Sequence, residues 1–351
     1  MYSYGALGRL HALSRQGRLQ IVPCNYSALP RLFADGSLPR DVGLIQVSSP
    51  DADGMCSLGI GVDYAADAIP HTPVLIAEIN KQMPATQGAP KIPIDRLSAF
   101  VETDRALPEG RLHVPDDCDR MIAQHVAGLI EDGDTIQSGI GALPSAVLDA
   151  LRAHTNLGLH SGMISDAALR LLDAGVITGA KKEIDLGMVV TGAALGGAEL
   201  YRRVADLPVA FRPASYTHAP ETLAQLRSFV AVNAAIEVDL TGQIGAEIRR
   251  GVYVGAIGGQ ADFSRAAACS GARSIIAVRS QSRGQSTIKP VLAGGLVTTP
   301  RTDVDFIATE HGVASLRGAS LAERTQRITA IAAPEHREAL ERASRRPASR
   351  K

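Results

Sequence analysis

Short runs of β-branched and aliphatic residues alternate with amphipathic stretches along most of the chain. The apolar runs are LQIVP, VGLIQVS and VLIAEIN in the first third, then TIQSG, LGLHS, GMVVTG, FVAVN, IEVDL, SIIAV and DFIAT. Runs of this length between turn residues are typical of strands, and helices between strands are typical of parallel sheets. The sequence therefore predicts an α/β fold built on open parallel sheets.

The pattern breaks at ALPEGRLHVPDD, Ala106–Asp117, where two prolines and several charges precede the amphipathic stretch RMIAQHVAGLIEDG. Such a break is typical of a linker, and 351 residues are enough for two domains. We therefore predict an N-terminal domain of residues 1–115 and a C-terminal domain of residues 116–351. The segment LAERTQRITAIAAPEHREALERASR predicts two terminal helices broken at Pro334.

Composition and charge narrow the class of partner. Hydrophobic residues make up 45% of the chain, and 36 basic residues balance 36 acidic ones, so nothing favours nucleic acid or a membrane surface. No run reaches the roughly 18 apolar residues of a membrane span, and the start has no signal-peptide core. Because the four cysteines are far apart, we expect a cytoplasmic protein with no metal and no permanently bound cofactor.

A first glycine-rich turn follows the run TIQSG. The residues QSGIG, Gln137 to Gly141, lead into a helix whose early Pro144 needs no N–H partner. The free N–H groups at such a helix start can bind an anion or an oxyanion. A tight turn without any ligand is an equally good interpretation of this motif.

A second turn, GAIGGQADFSRAA, starts at Gly255. Its adjacent glycines, Gly258 and Gly259, leave backbone donors uncovered and allow a ligand carbonyl to approach the main chain. A purely structural turn is again the alternative.

A third segment, RSQSRGQSTIKP, brings Arg279, Arg283 and Lys289 into a loop that we expect to be flexible. The loop suits a phosphate-bearing ligand, although exposed basic loops are often only solvated. With the two glycine turns, it suggests a ligand with a polarised carbonyl at one end and phosphates at the other. A coenzyme A thioester has this form.

Several segments resemble the acetyl-CoA hydrolase/transferase family, the class I CoA-transferases that include the 4-hydroxybutyrate, butyrate and succinate:acetate enzymes. They are VSSPDADGMCSLGIGVDYAADAI, EINKQMPATQG, QSGIGALPSAVL, NAAIEVDLTGQI, IGGQADFSRAA and TEHGVASLRGASLAER. The resemblance implies two similar open parallel-sheet domains, with the active site between them, in a homodimer. Because family chains carry a further strand and helix before the first matching region, it also implies a shortened N-terminal domain.

In that family a glutamate attacks the acyl-CoA carbonyl and forms an acyl-glutamyl anhydride with release of CoA. The CoA then converts the anhydride to a glutamyl-CoA thioester, which finally passes CoA to a second carboxylate. The glutamate lies in a segment similar to GIHTEMISD. Here the segment reads GLHSGMISD, so Gly162 takes the place of the nucleophile. Without a carboxylate there, ordinary transfer should fall by orders of magnitude.

The resemblance also implies a binding site for CoA. Gln137, Ser138, Gly139, Ile140 and Gly141 would line it, with the Ile140 N–H as one oxyanion donor. The Gly258–Gly259 turn would supply the other donor from Gly259. The pantetheine arm would run past Ile236 and Gly255, and Arg283 would meet a phosphate.

Three ionisable residues remain as tentative catalytic groups. In the segment PASYTHAP, His218 takes the place of a usual family asparagine and could deprotonate a water admitted where the glutamate is missing. A solvated loop histidine is the alternative. Glu310, in TEHG, corresponds to a glutamate near the family active site, and Glu237, in IEVDL, would be a replacement nucleophile unless its strand turns it away.

These residues lead to three hypotheses. The first is an acyl-CoA hydrolase or lyase that does not use a glutamyl intermediate. The second is an acyl-CoA:carboxylate CoA-transferase that uses another carboxylate, and the third is a non-catalytic CoA-binding homologue. Acyl-CoA and a small carboxylate are the expected partners.

Overall fold

The computed structural model describes residues 2–8, 10–110, 114–292 and 294–345. The helices are α1 (Leu10–Arg15), α2 (Leu29–Ala34), α3 (Asp63–Ala68), α4 (Asp117–Ala127), α5 (Ala142–Ala150), α6 (Asp166–Asp173), α7 (Ala198–Arg203), α8 (Ala214–Thr217), α9 (Pro220–Leu223), α10 (Gln260–Ser270), α11 (Leu321–Ala330) and α12 (Pro334–Ser344). Short 3-10 helices cover Tyr26–Ala28, Ile69–His71, Ile94–Arg96 and Arg301–Asp303.

The first strands along the chain are β1 (Tyr2–Ser3), β2 (Gln20–Ile21), β3 (Val42–Val47), β4 (Met55–Ser57), β5 (Val74–Asn80), β6 (Lys91–Pro93) and β7 (Ala99–Thr103). They are followed by β8 (Thr135–Ser138), β9 (Gly158–Ile164), β10 (Val189–Ala194), β11 (Val209–Phe211) and β12 (Phe229–Ala234). The remaining strands are β13 (Glu237–Asp239), β14 (Ile244–Gly245), β15 (Ile248–Arg249), β16 (Val252–Tyr253), β17 (Arg273–Ala277), β18 (Gln281–Ser282), β19 (Gln285–Ser286), β20 (Ile288–Lys289), β21 (Phe306–Thr309) and β22 (Gly312–Ser315).

The larger sheet has eight strands in the order β11-β10-β9-β8-β12-β17-β21-β22. Neighbouring strands are parallel from β11 through β21, and β22 is antiparallel to β21. The carboxyl ends of β8, β9, β10, β12, β17 and β21 therefore lie along one edge. Ligands bind outside this edge in open α/β sheets, so it is where a site is expected.

The N-terminal part of the chain forms a smaller parallel sheet in the order β3-β5-β7. One hydrophobic core joins the two sheets, because Val47 and Ile79 of the smaller one belong to the same buried cluster as Ile136 and Leu159 of the larger one. The core fixes how N-terminal residues lie relative to the larger sheet.

The α/β fold with parallel sheets is confirmed, and each of the ten apolar runs contains a strand. The two terminal helices and the break at Pro334 are also confirmed. Within the eight-stranded sheet and the β3-β5-β7 sheet, the sequence pattern missed β7, β11 and β22, which lie at sheet edges, where a clear apolar alternation is least required.

The domain boundary at residues 115 and 116 stays a prediction, and residues 111–113 of the predicted linker lie outside the described residues. Helix α4 does begin just after it, where the Asp116 side chain accepts the Asp119 N–H. Among the described residues, no helix is long and apolar enough to cross a membrane.

Candidate functional site

The first glycine turn joins β8 to α5 at the carboxyl edge of the larger sheet. Gly141 precedes the helix with a φ of 120°, a conformation that a side chain would oppose. Pro144 lies in the first helical turn, as predicted. Within the described residues the N–H groups of Ile140 and Gly141 have no hydrogen-bond partner, and Ile140 is 43% exposed. The turn therefore presents free donors at the surface of the edge.

Gln137 and Ser138 support this turn from beneath. Both are buried; the Gln137 side-chain amide exchanges two hydrogen bonds with that of Asn233, at 3.0 and 3.3 Å. The Ser138 carbonyl accepts the Ser161 hydroxyl at 2.9 Å. These side chains tie β8 to its neighbours β12 and β9, and the donors for a ligand come from the residues that follow them.

Gly162 lies near the end of β9, and the His218 ring lies directly against it. A Cβ atom placed on Gly162 would be 2.9 Å from His218 Cε1 and 3.0 Å from Nε2. A Cβ on Gly259 would be 2.5 Å from the same Nε2. The imidazole thus lies in the space between Gly162 and the second glycine turn.

His218 is therefore not a solvated loop histidine, which corrects that interpretation, and its ring lies against Gly162, where the sequence predicted space for a water. It is 3% exposed, and its ring packs between Tyr26 and Phe263 with ring centroids 4.7 Å apart in each case. Its Nδ1 lies 2.8 Å from the Thr217 hydroxyl. Burial, with a smaller contribution from His160, lowers the pKa of His218 to about 3, so the ring is neutral at physiological pH.

Sequence reasoning missed two residues of this cluster, Tyr26 and Asp63. The Tyr26 hydroxyl donates to Asp63 Oδ2, while Asp63 Oδ1 is shielded from solvent and has no partner within the described residues. A Cβ on Gly192, the neighbour of Gly162 on β10, would be 3.4 Å from that Oδ1 and 3.0 Å from the Gly162 carbonyl oxygen. We call Gly162, Gly192, Gly259, Tyr26, Asp63 and His218 the Gly162 site.

The Asp63 carboxyl group has a raised pKa. Burial raises this pKa to about 6; the Tyr26 hydrogen bond and the nearby Tyr64 backbone N–H oppose this rise, and the Asp67 charge adds to it. Burial and the Asp63 charge in turn raise the pKa of Tyr26 above its usual value. The Gly162 site therefore contains a group that titrates near physiological pH.

The second glycine turn leads into α10 beside this cluster. Gly258 has a φ of 58°, and its carbonyl accepts the Tyr26 N–H at 3.2 Å. The Gly259 N–H has no partner within the described residues. Gly255 is packed against the Ala246 carbonyl, so its lack of a side chain has a structural reason whether or not a ligand passes it.

A groove of about 450 Å³ lies beyond the first turn, along the ends of β12 and β17. We call it the basic groove; its cations are Arg249, Arg250, Arg279, Arg283 and Lys289, and its apolar wall includes Leu143, Ile236, Ile248 and Val278. It has the mixture of charge and apolar surface that a phosphate-bearing ligand with an organic arm requires.

Two details of the basic groove differ from expectation. The loop around Arg283 is an ordered hairpin of β18 and β19, and Arg279 is tied to Asp116 and Asp119 at 2.8 and 2.7 Å. Arg279 is therefore neutralised and is a weak candidate for a phosphate. Glu237 also lines the groove, over Gly245 of the β13-β14 pair.

Glu310 is not brought to the Gly162 site. It follows β21, which is four strands from β9, and at about 4.8 Å per strand the separation is roughly 19 Å. Its carboxylate accepts the Ser280 N–H at 2.9 Å and the Ser280 hydroxyl at 2.5 Å. Despite burial, these bonds lower the pKa of Glu310, so its oxygens hold the loop after β17.

The structure thus groups the predicted residues into two neighbouring places. The Gly162 site has two glycines side by side under His218, Tyr26 and Asp63, with the Gly259 donor beside them. The basic groove takes Ile236, Glu237 and Arg283. Asp63 lies in the family-like motif VDYAADAI, which could have marked it as a site residue. Tyr26 lies in none of the quoted motifs.

Comparisons with known proteins show what this chain is similar to. Residues 6–108 match the acetyl-CoA hydrolase/transferase N-terminal domain, and residues 196–344 match the corresponding C-terminal domain. The 4-hydroxybutyrate coenzyme A transferase of Clostridium kluyveri is 40% identical over 329 residues, which cover 92% of this chain and 77% of that protein. A succinyl-CoA:acetate/propanoyl-CoA:succinate CoA transferase of Fasciola hepatica is 37% identical over 96% of this chain and 72% of its own length.

Solved structures give the same result. The crystal structure of 4-hydroxybutyrate CoA-transferase from Porphyromonas gingivalis superposes with a TM-score of 0.82 at 37% identity, covering 94% of this chain and 81% of that one.

The contact between Gly162 and His218 can be tested by stability. We expect Gly162→Ala to lower the free energy of unfolding by about 1–3 kcal/mol, because the ring it meets is itself boxed in. Gly61→Ala is the matched control, since its methyl group would meet nothing within 4 Å. In urea denaturation, the cost of Gly162→Ala should shrink in a His218→Ala background. Strict additivity of the two changes would contradict the contact.

The neutral state of the two buried histidines can be tested by NMR. Burial lowers the pKa of His160 to about 4 and that of His218 to about 3, so neither ring should take up a proton between pH 5 and 8 in 15N-detected titrations. Because the unfolded rings bind protons below about 6.5, these two residues should also make the fold less stable as the pH falls below that value. A midpoint between pH 5 and 8 for His218, assigned with His218→Asn, would show a solvated ring.

Proposed function

The chain belongs to the acetyl-CoA hydrolase/transferase family, and from that premise we propose that it acts on an acyl-CoA thioester without a glutamyl-CoA intermediate. Hydrolysis is the simplest such reaction. The observation that carries the proposal is the His218 ring, which lies against Gly162, where the family resemblance would place the glutamate, and would crowd a side chain there.

The other proposed carboxylates do not support a transferase. Glu310 lies about four strand spacings away, roughly 19 Å, with its oxygens bonded to Ser280. Glu237 lines the basic groove, where its charge lies among the cations suited to phosphates. A ping-pong reaction through either residue would need the acyl carbonyl to leave the Gly162 site.

In this proposal the basic groove holds CoA, with Arg283 near a phosphate and the pantetheine arm along Ile236. The carbonyl oxygen is polarised by the free N–H groups of Ile140 and Gly259, which would stabilise the tetrahedral oxyanion. Water adds to the carbonyl carbon, and the carbon–sulfur bond breaks. The CoA thiolate takes up the proton from the water and leaves as the thiol.

In this proposal His218 acts as a neutral ring and does not accept the proton as a general base. A pKa of about 3 makes it a weak base at neutral pH, whereas general bases work best near the operating pH. Its Nε2 is close to both Gly162 and Gly259, so it can orient a water or the thioester by a hydrogen bond.

Two further features of the molecule remain proposals. The family premise supports a homodimer. The four cysteines are free thiols in the structure, which supports a reducing cytoplasm as the location.

The reaction can be tested by thiol release from a panel of acyl-CoAs, with and without acetate. We expect the wild type to release CoA without an acceptor and to form no hydroxylamine-sensitive protein thioester. Gly162→Glu with His218→Asn should acquire acetate-dependent transfer, because the second change removes the ring from the space that the glutamate needs.

Gly162→Glu alone is the matched control, and we expect it to be poorly folded or inactive. Wild-type turnover that requires acetate and forms a trapped thioester would restore the transferase hypothesis. Tight CoA binding with no turnover of any thioester would favour a non-catalytic CoA-binding homologue.

The basic groove can be tested by CoA affinity. Arg283→Asn keeps a residue that tolerates the observed φ of 51° but removes the cation. We expect the Kd for CoA to rise about tenfold at low salt, the loss of one charge-assisted hydrogen bond. Arg342→Asn, on the exposed face of α12, is the control and should leave the Kd unchanged by isothermal titration calorimetry. Equal affinities would remove Arg283 from the site.

A further inference from the structure

We infer that Asp63 is the catalytic base of the Gly162 site: its unpartnered Oδ1 holds and deprotonates the water that attacks the thioester carbonyl, and Tyr26 positions it. The inference rests on the proposed function, because it names the residue that would carry out that reaction in place of the absent glutamate. It depends on the placement of one carboxylate and on how its two oxygens are used.

Asp63 reaches the correct face of the larger sheet. Gly162 and Gly192 lie side by side on β9 and β10, so atoms above them share one small space. Asp63 Oδ1 is 3.4 Å from a Cβ position on Gly192, and His218 Cε1 is 2.9 Å from the corresponding position on Gly162. The carboxylate and the imidazole therefore approach neighbouring points above the two glycines.

The two oxygens of Asp63 are used differently. Oδ2 accepts the Tyr26 hydroxyl, while Oδ1 is buried without any partner within the described residues. A buried carboxylate oxygen without a partner is costly and rare, and a bound water or a ligand normally satisfies it. The attacking water of a hydrolase is a ligand of this kind.

The backbone of Asp63 is held in an unfavourable conformation. Its φ is 39°, in the left-handed region, although it begins helix α3. Two contacts with residues around the larger sheet hold this segment in place: a bridge from Asp63 to Pro213 and a hydrogen bond from the Val62 N–H to the Gly192 carbonyl at 3.1 Å. Residues strained in this way cluster at functional sites.

Tyr26 connects the carboxylate to the rest of the site. Its N–H is bonded to Gly258, one residue before the proposed oxyanion donor, and its ring packs on His218. Ser27 fixes the same segment by donating its hydroxyl to Asp262 at 2.6 Å. The segment that contains Tyr26 therefore contacts Asp63, the Gly258–Gly259 turn and the His218 ring.

The surroundings of Asp63 suit proton transfer near neutral pH. The titratable groups around it are Tyr26, Tyr64, Asp67 and, through the tyrosine cluster, Tyr4, with His218 beyond the Tyr26 ring. Burial raises the pKa of Asp63 to about 6, so the carboxylate is mostly ionised at pH 7 yet more basic than an exposed aspartate.

The reaction balances with water as the only co-reactant. Asp63 Oδ1 takes one proton from water as the new carbon–oxygen bond forms at the carbonyl carbon. The tetrahedral oxyanion then re-forms the carbonyl, and the carbon–sulfur bond breaks. The CoA thiolate takes the proton from Asp63, which leaves a carboxylic acid, CoA thiol and the original carboxylate.

The first experiment compares Asp63→Asn with the wild type in acyl-CoA hydrolysis. Base catalysis typically contributes 100- to 10,000-fold, and we expect kcat to fall by about this factor while the Kd for CoA stays the same. The wild-type rate should decline as the pH falls through about 6, and the residual rate of the variant should lack this limb. Asp67→Asn, one turn further along α3 and bonded to the Ser215 N–H, is the matched control: it should keep the wild-type kcat at pH 8, and because the Asp67 charge raises the pKa of Asp63, its acidic limb should move to lower pH and not disappear.

Tyr26→Phe tests positioning without touching the carboxylate. The Tyr26 hydrogen bond lowers the pKa of Asp63, so its loss should move the acidic limb to higher pH in addition to reducing kcat. A merely structural role for Tyr26 would reduce activity at every pH alike. In a single turnover in ¹⁸O-labelled water, only the released acid should carry the label. Label in the Asp63 carboxyl group would show that Asp63 acts as a nucleophile and would overturn its assignment as the base.

Thermal denaturation shows whether Asp63→Asn loses activity because it unfolds. The folded pKa of Asp63 is raised from 3.8, so ionising it destabilises the fold as the pH rises through about 6, and Asp63→Asn lacks this loss. At pH 8 its Tm should equal or exceed that of the wild type. Full hydrolysis by folded Asp63→Asn would overturn the inference and leave the proposed function standing. A wild type that binds CoA but hydrolyses no thioester would overturn both.

Discussion

Parallel pairing in the larger sheet is the constraint on which the site depends. From β11 to β21 each strand ends at the same edge, so residues far apart in sequence are placed in strand order and not in chain order. Two glycine turns and Gly162 meet there because β8, β9 and the turn before α10 share that edge. The same strand order places Glu310 away from the Gly162 site, because Glu310 follows β21, which is four strands from β9.

A shared hydrophobic core supplies the second half of the site. Val47 and Ile79 pack into the same cluster as residues of the larger sheet, and Tyr26 packs in a second, smaller cluster with Ala214 of α8. Together these contacts hold Tyr26 and Asp63 over Gly162 and Gly192. The Gly162 site buries a carboxyl, a phenol and an imidazole with an incomplete set of hydrogen bonds. Such an arrangement costs stability, and the extensive apolar burial around it compensates for this cost.

The sequence predicted the parts of the molecule that depend on local pattern. Strands, the terminal helices and both glycine turns follow from apolar periodicity and from the positions of glycine and proline. The segment GLHSGMISD drew attention to Gly162, and its correspondence to a family glutamate stays a prediction. The packing of His218 was not predictable, since a lone histidine in PASYTHAP gives no sign of burial. Asp63 and Tyr26 were missed because they come from segments 37 residues apart that meet only through tertiary packing.

The ring that lies against Gly162 also limits which substitutions the chain can accept one at a time. A mutation that introduces glutamate at position 162 meets His218, and a mutation that removes His218 alone leaves a cavity. Each single change costs stability, and the two together should cost less than their sum, so the two positions form an epistatic pair. A carboxylate can therefore enter this part of the sheet edge only through a less stable protein, unless both positions change at once.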